Sequence, residues 1–331
     1  MAPRVLICGD IVWAHEEVKQ LFDGIAEVIR MDSTTRTDFM AGLKTSGKYA
    51  GIVGIYRHNT SADHIGIFDR EIIKALAPNV KWIAHNGAGY DQIDVQECKA
   101  NGIFVSNTPG AVDEATATTA LYLLISTLRQ FSFGERSLRS NTWKSPIDPG
   151  CTHDLSARTL GILGLGGIGL HLANLAHAFP MRVIYHSRSR NHNAPEWCQY
   201  YAKMEDMLKE SDVLSVHVPL RKDTESLVGE KEIRAMKKGS IIVNTARGKV
   251  IDEDAMIRAL ADGHLSSVGL DVYPDEPNVN SRLLEFPQLA LLPHMGTENQ
   301  DSQKKMEIRA LTNLRNFLTK GKGDDLISEM R

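Results

Sequence analysis

The sequence predicts an α/β protein with two doubly wound parallel-sheet domains, and three observations carry that expectation. Short apolar runs suited to buried strands alternate with amphipathic stretches suited to helices in both halves of the chain. A glycine-rich turn, in "TLGILGLGGIGLHLANLAHAF", opens the second half rather than the first. Between the halves, "DEATATTALYLLISTLRQF" carries a broad apolar face with no helix-breaking residue and reads as one helix from Asp113 to about Arg139.

In chain order, "RVLICG", "AEVIRM", "YAGIVGI", "VKWIAHNG" and "GIFVSN" read as the strands of the first half. "NTWKSPIDPG" then breaks regular structure. The second series runs from Thr159 to Leu163 and on through "VLSVHVPL", "SIIVNTARG", "SSVGLDVY" and "LALLPHMG". The last thirty or so residues read as one helix with a polar tail. A chain of 331 residues is long enough for about two domains with sizeable cores.

Composition narrows the class of partner. With Lys+Arg 38 against Asp+Glu 41, the net charge of -3 shows no electrostatic preference for nucleic acid or an anionic membrane. The four cysteines, Cys8, Cys98, Cys151 and Cys198, form no C-x-x-C pair, which fits a reducing compartment and argues against structural zinc. No apolar run approaches transmembrane length, and "MAPRVLICGD" runs straight into a strand rather than a signal-peptide core. A cytoplasmic protein with no membrane, nucleic-acid or metal partner is expected.

Gly164, Gly166 and Gly169 give the G-x-G-x-x-G spacing between a strand and a helix that begins at about Ile168. The first glycine permits the tight turn, the second lets the backbone approach a pyrophosphate, and the third lets the helix pack on its strand. Free N–H groups at the helix start then face the phosphates. An NAD site calls for Asp or Glu at the end of the next strand, Arg182 to Tyr185, to hold the ribose hydroxyls. Here the chain delivers His186, Ser187 and Arg188. Ser187 can donate a hydrogen bond to a 2′-phosphate and Arg188 can pair with it through a planar fork, so the segment reads as an NADPH site. The plain alternative makes Arg188 and Arg190 solvated loop charges.

The chemistry-bearing residues of the second half also stand at strand ends. Arg247 follows "SIIV", Asp271 and Glu276 follow "SSVGL", and His294 follows "LALL". Ligand sites of open parallel sheets form at those ends. Arginine can grip a carboxylate at two points, histidine can exchange a proton near neutral pH, and glutamate can orient and charge-stabilise that histidine. Taken singly, each has a bland reading as a surface ion pair, a turn residue before Pro277 or a satisfied loop imidazole. Because the dinucleotide motif begins after residue 100, the N-terminal part is expected to cover the cofactor and help form a substrate cleft.

With these motifs assembled, the chain resembles the D-2-hydroxyacid dehydrogenases over nearly its whole length. The resemblance rests on "GAGYDQIDV", "TPGAVDEATATTALYLL", "GILGLGGIG", "VHVPL", "VNTARGKVIDEDA", "GLDVYPDEP" and "LPHMGT" in the family's order. "GAGYDQID", "YHSR" and "LPHMGT" are similar to the fungal glyoxylate/hydroxypyruvate reductase branch. The resemblance implies a Rossmann NAD(P)-binding domain, residues 108–295, inserted in a flavodoxin-like substrate domain made of residues 1–107 and a returning helix in 296–331. It implies that Arg247 binds the 2-oxo acid's carboxylate and carbonyl, that Glu276 pairs with His294, and that His294 protonates the carbonyl oxygen. Backbone N–H groups of Ala88 and Gly89 would hold the carboxylate. Asp271 would anchor the nicotinamide carboxamide with Thr116 close by, and His217 and Pro219 would line the adenine side. Gly164, Gly166, Gly167, Ile168, Gly169 and Thr245 would complete the cofactor site, NADP being preferred over NAD.

A homodimer acting on small 2-oxo and 2-hydroxy acids is implied by the same likeness. The sequence departs from the family at Gly167, where many members carry Arg, which puts a charged pyrophosphate contact in doubt. "PGCTHDLSART" has no functional account. Two alternatives stand beside the reductase: a dinucleotide-sensing corepressor of the same fold, and a dehydrogenase for bulkier 2-oxo acids with Tyr56, Arg57 and Trp143 as candidate pocket walls. No Tyr-x-x-x-Lys pair occurs, against a short-chain dehydrogenase. The length leaves no room for the regulatory domain of larger phosphoglycerate dehydrogenases.

Overall fold

The protein is described by a computed structural model covering residues 2–144 and 147–331. Its chain divides into two units, Met1–Val112 with Glu298–Arg331, and Asp113–Thr297.

The first unit is built on parallel strands β1 (Arg4–Cys8), β2 (Glu27–Arg30), β3 (Ile52–His58), β4 (Trp82–Asn86) and β5 (Phe104–Ser106), in the order β2-β1-β3-β4-β5. That order reverses direction between β1 and β3, as in flavodoxin-like sheets. Alternate residues serve opposite faces. Leu6 and Ile55 join Phe39, Ile72 and Ile73 on one side. Val5, Ile7 and Tyr56 join Ala310, Leu311 and Leu314 of the helix Gln300–Lys320 on the other. Both faces are covered, so the strands are apolar throughout rather than alternating with polar residues.

The C-terminal helix stops at Gly321, in the left-handed conformation. The polar tail after Gly321 packs back onto the unit. Leu326 bridges Ser106 antiparallel, Ile327 is buried, and Asp325 accepts from Arg309 and Asn313. Their long-range partners, invisible to local pattern, tie the tail to the β5 edge.

The second unit holds β6 (Thr159–Leu163), β7 (Arg182–His186), β8 (Gln199–Tyr200), β9 (Val213–Val216), β10 (Ser240–Asn244), β11 (Leu265–Leu270) and β12 (Ala290–Leu291). The order β12-β11-β10-β9-β6-β7-β8 is the Rossmann arrangement with one further strand at its edge. The helices Asp113–Arg129 and Gly167–His177 pack one face through Ala117, Ala120, Leu124, Leu172 and Ala173. Met207, Ile233, Met256 and Ile257 cover the other. The α/β class and both doubly wound sheets are as the sequence predicts.

One helix is in fact two, Asp113–Arg129 and Phe131–Arg139. Gln130 turns left-handed, at φ 54 and ψ 34. The break has replacement partners: Ser132 donates its N–H to Ser126 Oγ at 3.0 Å, and the Leu128 carbonyl accepts from His153 at 2.8 Å. No Pro or Gly is required, which is why composition did not reveal it. Of "NTWKSPIDPG", Ser145 and Pro146 lie outside the described residues. Among the described residues no helix is long and apolar enough to cross a membrane, and no cluster of metal-ligating side chains occurs.

Candidate active site

The glycine turn after β6 is shaped by contacts on all sides. Gly164 has φ +96, and a Cβ there would meet Val218 Cγ1 at 2.9 Å and the His217 backbone at 3.1 Å. A Cβ on Gly169 would meet the Gly164 carbonyl oxygen at 2.5 Å, so glycine lets the helix close on its strand. Beside Gly166 the space is open. It caps the helix Gly167–His177 without any side-chain bond, leaving the first N–H groups to an anion.

Two side chains from beyond β7 hold this turn. Ser187 Oγ accepts from Leu165 N–H at 2.9 Å, and Asn191 Nδ2 donates to the Leu165 carbonyl at 2.7 Å. The Ser187 hydroxyl proton stays available for another acceptor. Arg188 is exposed, while His186 is turned inward, its Nδ1 2.9 Å from the Tyr201 carbonyl.

The structure gives the departure at Gly167 a physical basis. A Cβ there would lie 1.9 Å from Asp113 Oδ2. A carboxylate thus occupies the space over the helix's first turn, and any side chain at 167 requires it to move. Asp113 carried no sequence signal beyond its place at the start of a helix.

Orphaned polar atoms test whether a dinucleotide fits. His217 Nε2 bonds Ser215 Oγ at 2.8 Å, but among the described residues its buried Nδ1 has no partner, nor has the buried Thr245 Oγ1. Desolvation pulls the His217 ring down to about 4, so it stays neutral. Unpaired atoms of this kind are costly unless a ligand completes them. Together with the open glycine cradle they fit a nicotinamide dinucleotide. Pro219, on the same loop as His217, is exposed.

Beyond β10, Asn244 staples the loop that carries Arg247: its Oδ1 accepts from Ala246 N–H at 3.0 Å and its Nδ2 donates to the Arg247 carbonyl at 2.9 Å. Gly248 lets this loop press on the one after β11. A Cβ there would sit 2.0 Å from Tyr273 C and 2.3 Å from Pro274 N. The roles of Asn244 and Gly248 were missed from sequence, although both stand in "NTARG". Arg247 is half-buried, with Nη1 donating to the Ala246 carbonyl at 2.7 Å.

His294 has a left-handed backbone, φ 56. Asp271, only 1% exposed, supports that turn by accepting from Met295 N–H at 2.6 Å and Gly296 N–H at 2.8 Å. Burial pushes the Asp271 carboxyl up, with these two bonds acting against it. Thr116 Oγ1 donates to the Gly296 carbonyl at 3.4 Å. Sequence reasoning placed Asp271 in the site but did not see it as the tie of the histidine loop. Each of its oxygens keeps a second lone pair for a ligand.

The pair Glu276 and His294 is made: Nδ1 to Oε2, 2.6 Å. Glu276 Oε1 accepts from Tyr273 N–H at 2.8 Å. Burial raises the Glu276 carboxyl, but the His294 bond, the Tyr273 N–H and the positive fields of His294 and Arg247 outweigh it and hold it below its ordinary value. Among the described residues His294 Nε2 has no partner, and the side chain is 46% exposed. An imidazole anchored at one nitrogen and open at the other can pass a proton from the open one.

In the first unit, Ala88 and Gly89 follow β4, both half-buried, and among the described residues their N–H groups donate to nothing. Tyr56 and Arg57 are fully buried, at 0% each, which corrects their assignment as pocket walls. The Tyr56 hydroxyl donates to the Asp10 carbonyl and accepts from Asn86 Nδ2. Trp143 is 70% exposed.

Known proteins share these features. Residues 121–296 match the family described as D-isomer specific 2-hydroxyacid dehydrogenase, NAD binding domain. A 4-methyl-2-oxopentanoate reductase A of Aspergillus oryzae is 43% identical, with 99% of each chain covered. The crystal structure of a glyoxylate reductase from Paecilomyes thermophila superposes with a TM-score of 0.94 at 41% identity, covering 100% of this chain and 99% of that one. An NADPH-dependent glyoxylate/hydroxypyruvate reductase of Sinorhizobium meliloti, solved with NADP and malonate, gives 0.84 at 30% identity, with 99% and 98% covered. Motifs, fold and whole-length likeness agree, and the chain belongs to the D-isomer specific 2-hydroxyacid dehydrogenases.

Proposed function

We propose that the protein is an NADPH-preferring reductase of small 2-oxo acids, yielding D-2-hydroxy acids. The observation that carries this is the Glu276–His294 pair, 2.6 Å apart, with Arg247 close enough to lower the glutamate's pKa. When bound, the nicotinamide cofactor supplies the hydride. The chain's residues do the rest. The Arg247 fork grips the carboxylate and draws on the carbonyl oxygen. His294 delivers a proton to that oxygen from Nε2, and Glu276 stabilises the imidazolium before transfer and keeps Nδ1 protonated. Ala88 and Gly89 N–H groups hold the carboxylate, and Asp271 with Thr116 receives the carboxamide.

Ser187 and Arg188 support the preference for NADPH, as does the absence of an acid at that strand end. Glyoxylate and hydroxypyruvate are the first substrates, in keeping with the names of two of the similar proteins. The Aspergillus oryzae relative, named for a branched oxo acid, supports a bulkier substrate as second reading. The proposal includes a cytoplasmic homodimer; exposed Tyr122, Phe131, Leu138 and Trp143 supply apolar surface for association. The test is oxidation of NADPH and NADH with glyoxylate, hydroxypyruvate and 4-methyl-2-oxopentanoate. Turnover of none of them, alongside tight dinucleotide binding, would favour a sensor of the corepressor kind.

A further inference from the structure

Arg57 and His85 are register partners across β3 and β4, both buried to 0% at the carboxyl ends of their strands. Neither belongs to the chemistry described above. His85 Nε2 lies 2.8 Å from the Gly89 carbonyl oxygen and Nδ1 lies 3.3 Å from Arg57 Nη1. A carbonyl can only accept and a guanidinium can only donate, so the ring is neutral, with its proton on Nε2. Burial first, and the Arg57 charge second, bring it down to about 3, in keeping with that state.

Arg57 is unusual for a buried guanidinium. Its bonds go to neutral groups: Asn59 Oδ1 at 2.7 Å, Gln92 Oε1 at 2.5 Å and His85. Among the described residues its buried Nε has no partner. Asp91 acts on it only through space. Buried charges are ordinarily paired with a carboxylate, and among the described residues no carboxylate bonds this one.

The loop beyond β4 is pinned by its carbonyls. His85 holds Gly89, Asn107 Nδ2 donates to the Ala88 carbonyl at 2.9 Å, and the Gly87 carbonyl accepts from Thr108 N–H at 3.1 Å. Gly87 is glycine by necessity, since a Cβ would stand 2.8 Å from His85 Nε2. A peptide held by its carbonyl presents the N–H of the next residue on the opposite side: Thr108 on the Gly87 carbonyl turns out the Ala88 N–H, Asn107 on the Ala88 carbonyl turns out the Gly89 N–H, and His85 fixes the peptide that follows and so anchors the end of the loop. Among the described residues the N–H groups of Ala88 and Gly89 donate to nothing.

We propose that Arg57 and His85 are positioning residues: the pair, with Asn107, locks the loop so that the Ala88 and Gly89 N–H groups converge on an anion, and the unpaired Arg57 charge favours that anion as a carboxylate. This rests on the reading that the enzyme reduces 2-oxo acids. Specificity for an acid over the corresponding neutral carbonyl compound then comes partly from a residue that never touches it.

The experiment is steady-state kinetics with glyoxylate and inhibition by oxamate, an unreactive 2-oxo acid analogue, in the full-length enzyme. His85→Leu and Arg57→Met should raise the glyoxylate KM and the oxamate inhibition constant together, by about tenfold or more. The kcat should stay within about threefold, and the KM for NADPH should not move. His85→Gln, which keeps a donor and an acceptor, and Arg57→Lys, which keeps the charge, should recover most of the loss. If the buried variants fail to fold, Asn107→Ala at a half-exposed site carries the same expectation. Unchanged KM and oxamate inhibition in folded variants, or a fall confined to kcat, would overturn the positioning role. A wild-type enzyme that reduces no 2-oxo acid would overturn the functional reading and this inference with it.

Discussion

At the scale of residues, Glu276 and His294 make the sharpest test, because their 2.6 Å bond couples a charge to the proposed proton donor. In reduction His294 must begin protonated, and the Glu276 carboxylate favours that form. Glu276→Gln keeps the shape and removes the charge. The alkaline limb of the kcat/KM profile should move to lower pH. Activity near neutrality should drop and acid should partly restore it, whereas His294→Ala should lose the step at every pH. A limb that stays or moves upward would show that Glu276 does not tune the donor. In the wild type the Glu276 carboxyl is held below its ordinary value, so its support for His294 should be complete above that value and be lost only as pH falls through the lowered one. The cofactor preference is a second residue-scale matter. Arg188 is exposed and Ser187 keeps a hydroxyl proton, so both can meet a 2′-phosphate. Arg188→Ala should raise the KM for NADPH by about ten- to a hundredfold, a charge-assisted bond of roughly 1.5–3 kcal/mol, and leave that for NADH nearly unchanged. Equal effects on the two would refute the assignment.

At the scale of elements, the loops at neighbouring strand ends are pressed together. Arg247 rides on the loop after β10 and Glu276 on the loop after β11, and Gly248 is the point of contact. The atoms a Cβ would strike at 2.0–2.4 Å are backbone of Tyr273 and Pro274, which cannot swing aside. Gly248→Ala should cost about 1–3 kcal/mol of stability by overpacking. It should cost more in catalysis than in folding, because it pushes Arg247 away from Glu276. Thermal melting and kcat/KM of the same preparation check this, and a variant that loses stability with activity intact would separate the two loops functionally. The helix break at Gln130 belongs to this scale too. Propensity reads 113–139 as one helix, and only the Ser126 hydroxyl and the distant His153 N–H make a break inexpensive.

At the scale of the whole molecule, the first unit is assembled from two ends of the chain, and Glu307 shows how. The helix His15–Phe22 begins after Ala14, which cannot cap it with a side chain. Glu307, buried to 1%, accepts instead from Val12, Trp13 and Ala14 N–H at 2.8, 2.9 and 2.8 Å. Glu307→Gln turns an amide NH2 toward one side of that set and should destabilise the unit by about 1–3 kcal/mol. Hydrogen exchange should quicken across residues 12–22 while the second unit's amides hold their rates; no change there would deny Glu307 its capping role. Such a contact spans 293 residues and leaves no mark on local pattern.

By itself the sequence determined most strands and helices, the two sheets, the glycine turn and the family, because each is written in period, in glycine spacing or in contiguous motif. It brought Arg247, Asp271, Glu276 and His294 forward as candidates, since strand-end position and side-chain chemistry are local properties. Only the tertiary structure decided that Asp271 braces the His294 turn, that Asp113 fills the space beside Gly167, and that Arg57 lies buried beside His85 instead of lining a pocket. Those facts depend on which distant side chains meet, and hydrogen-bond partners are chosen by proximity in the folded chain, not by position along it.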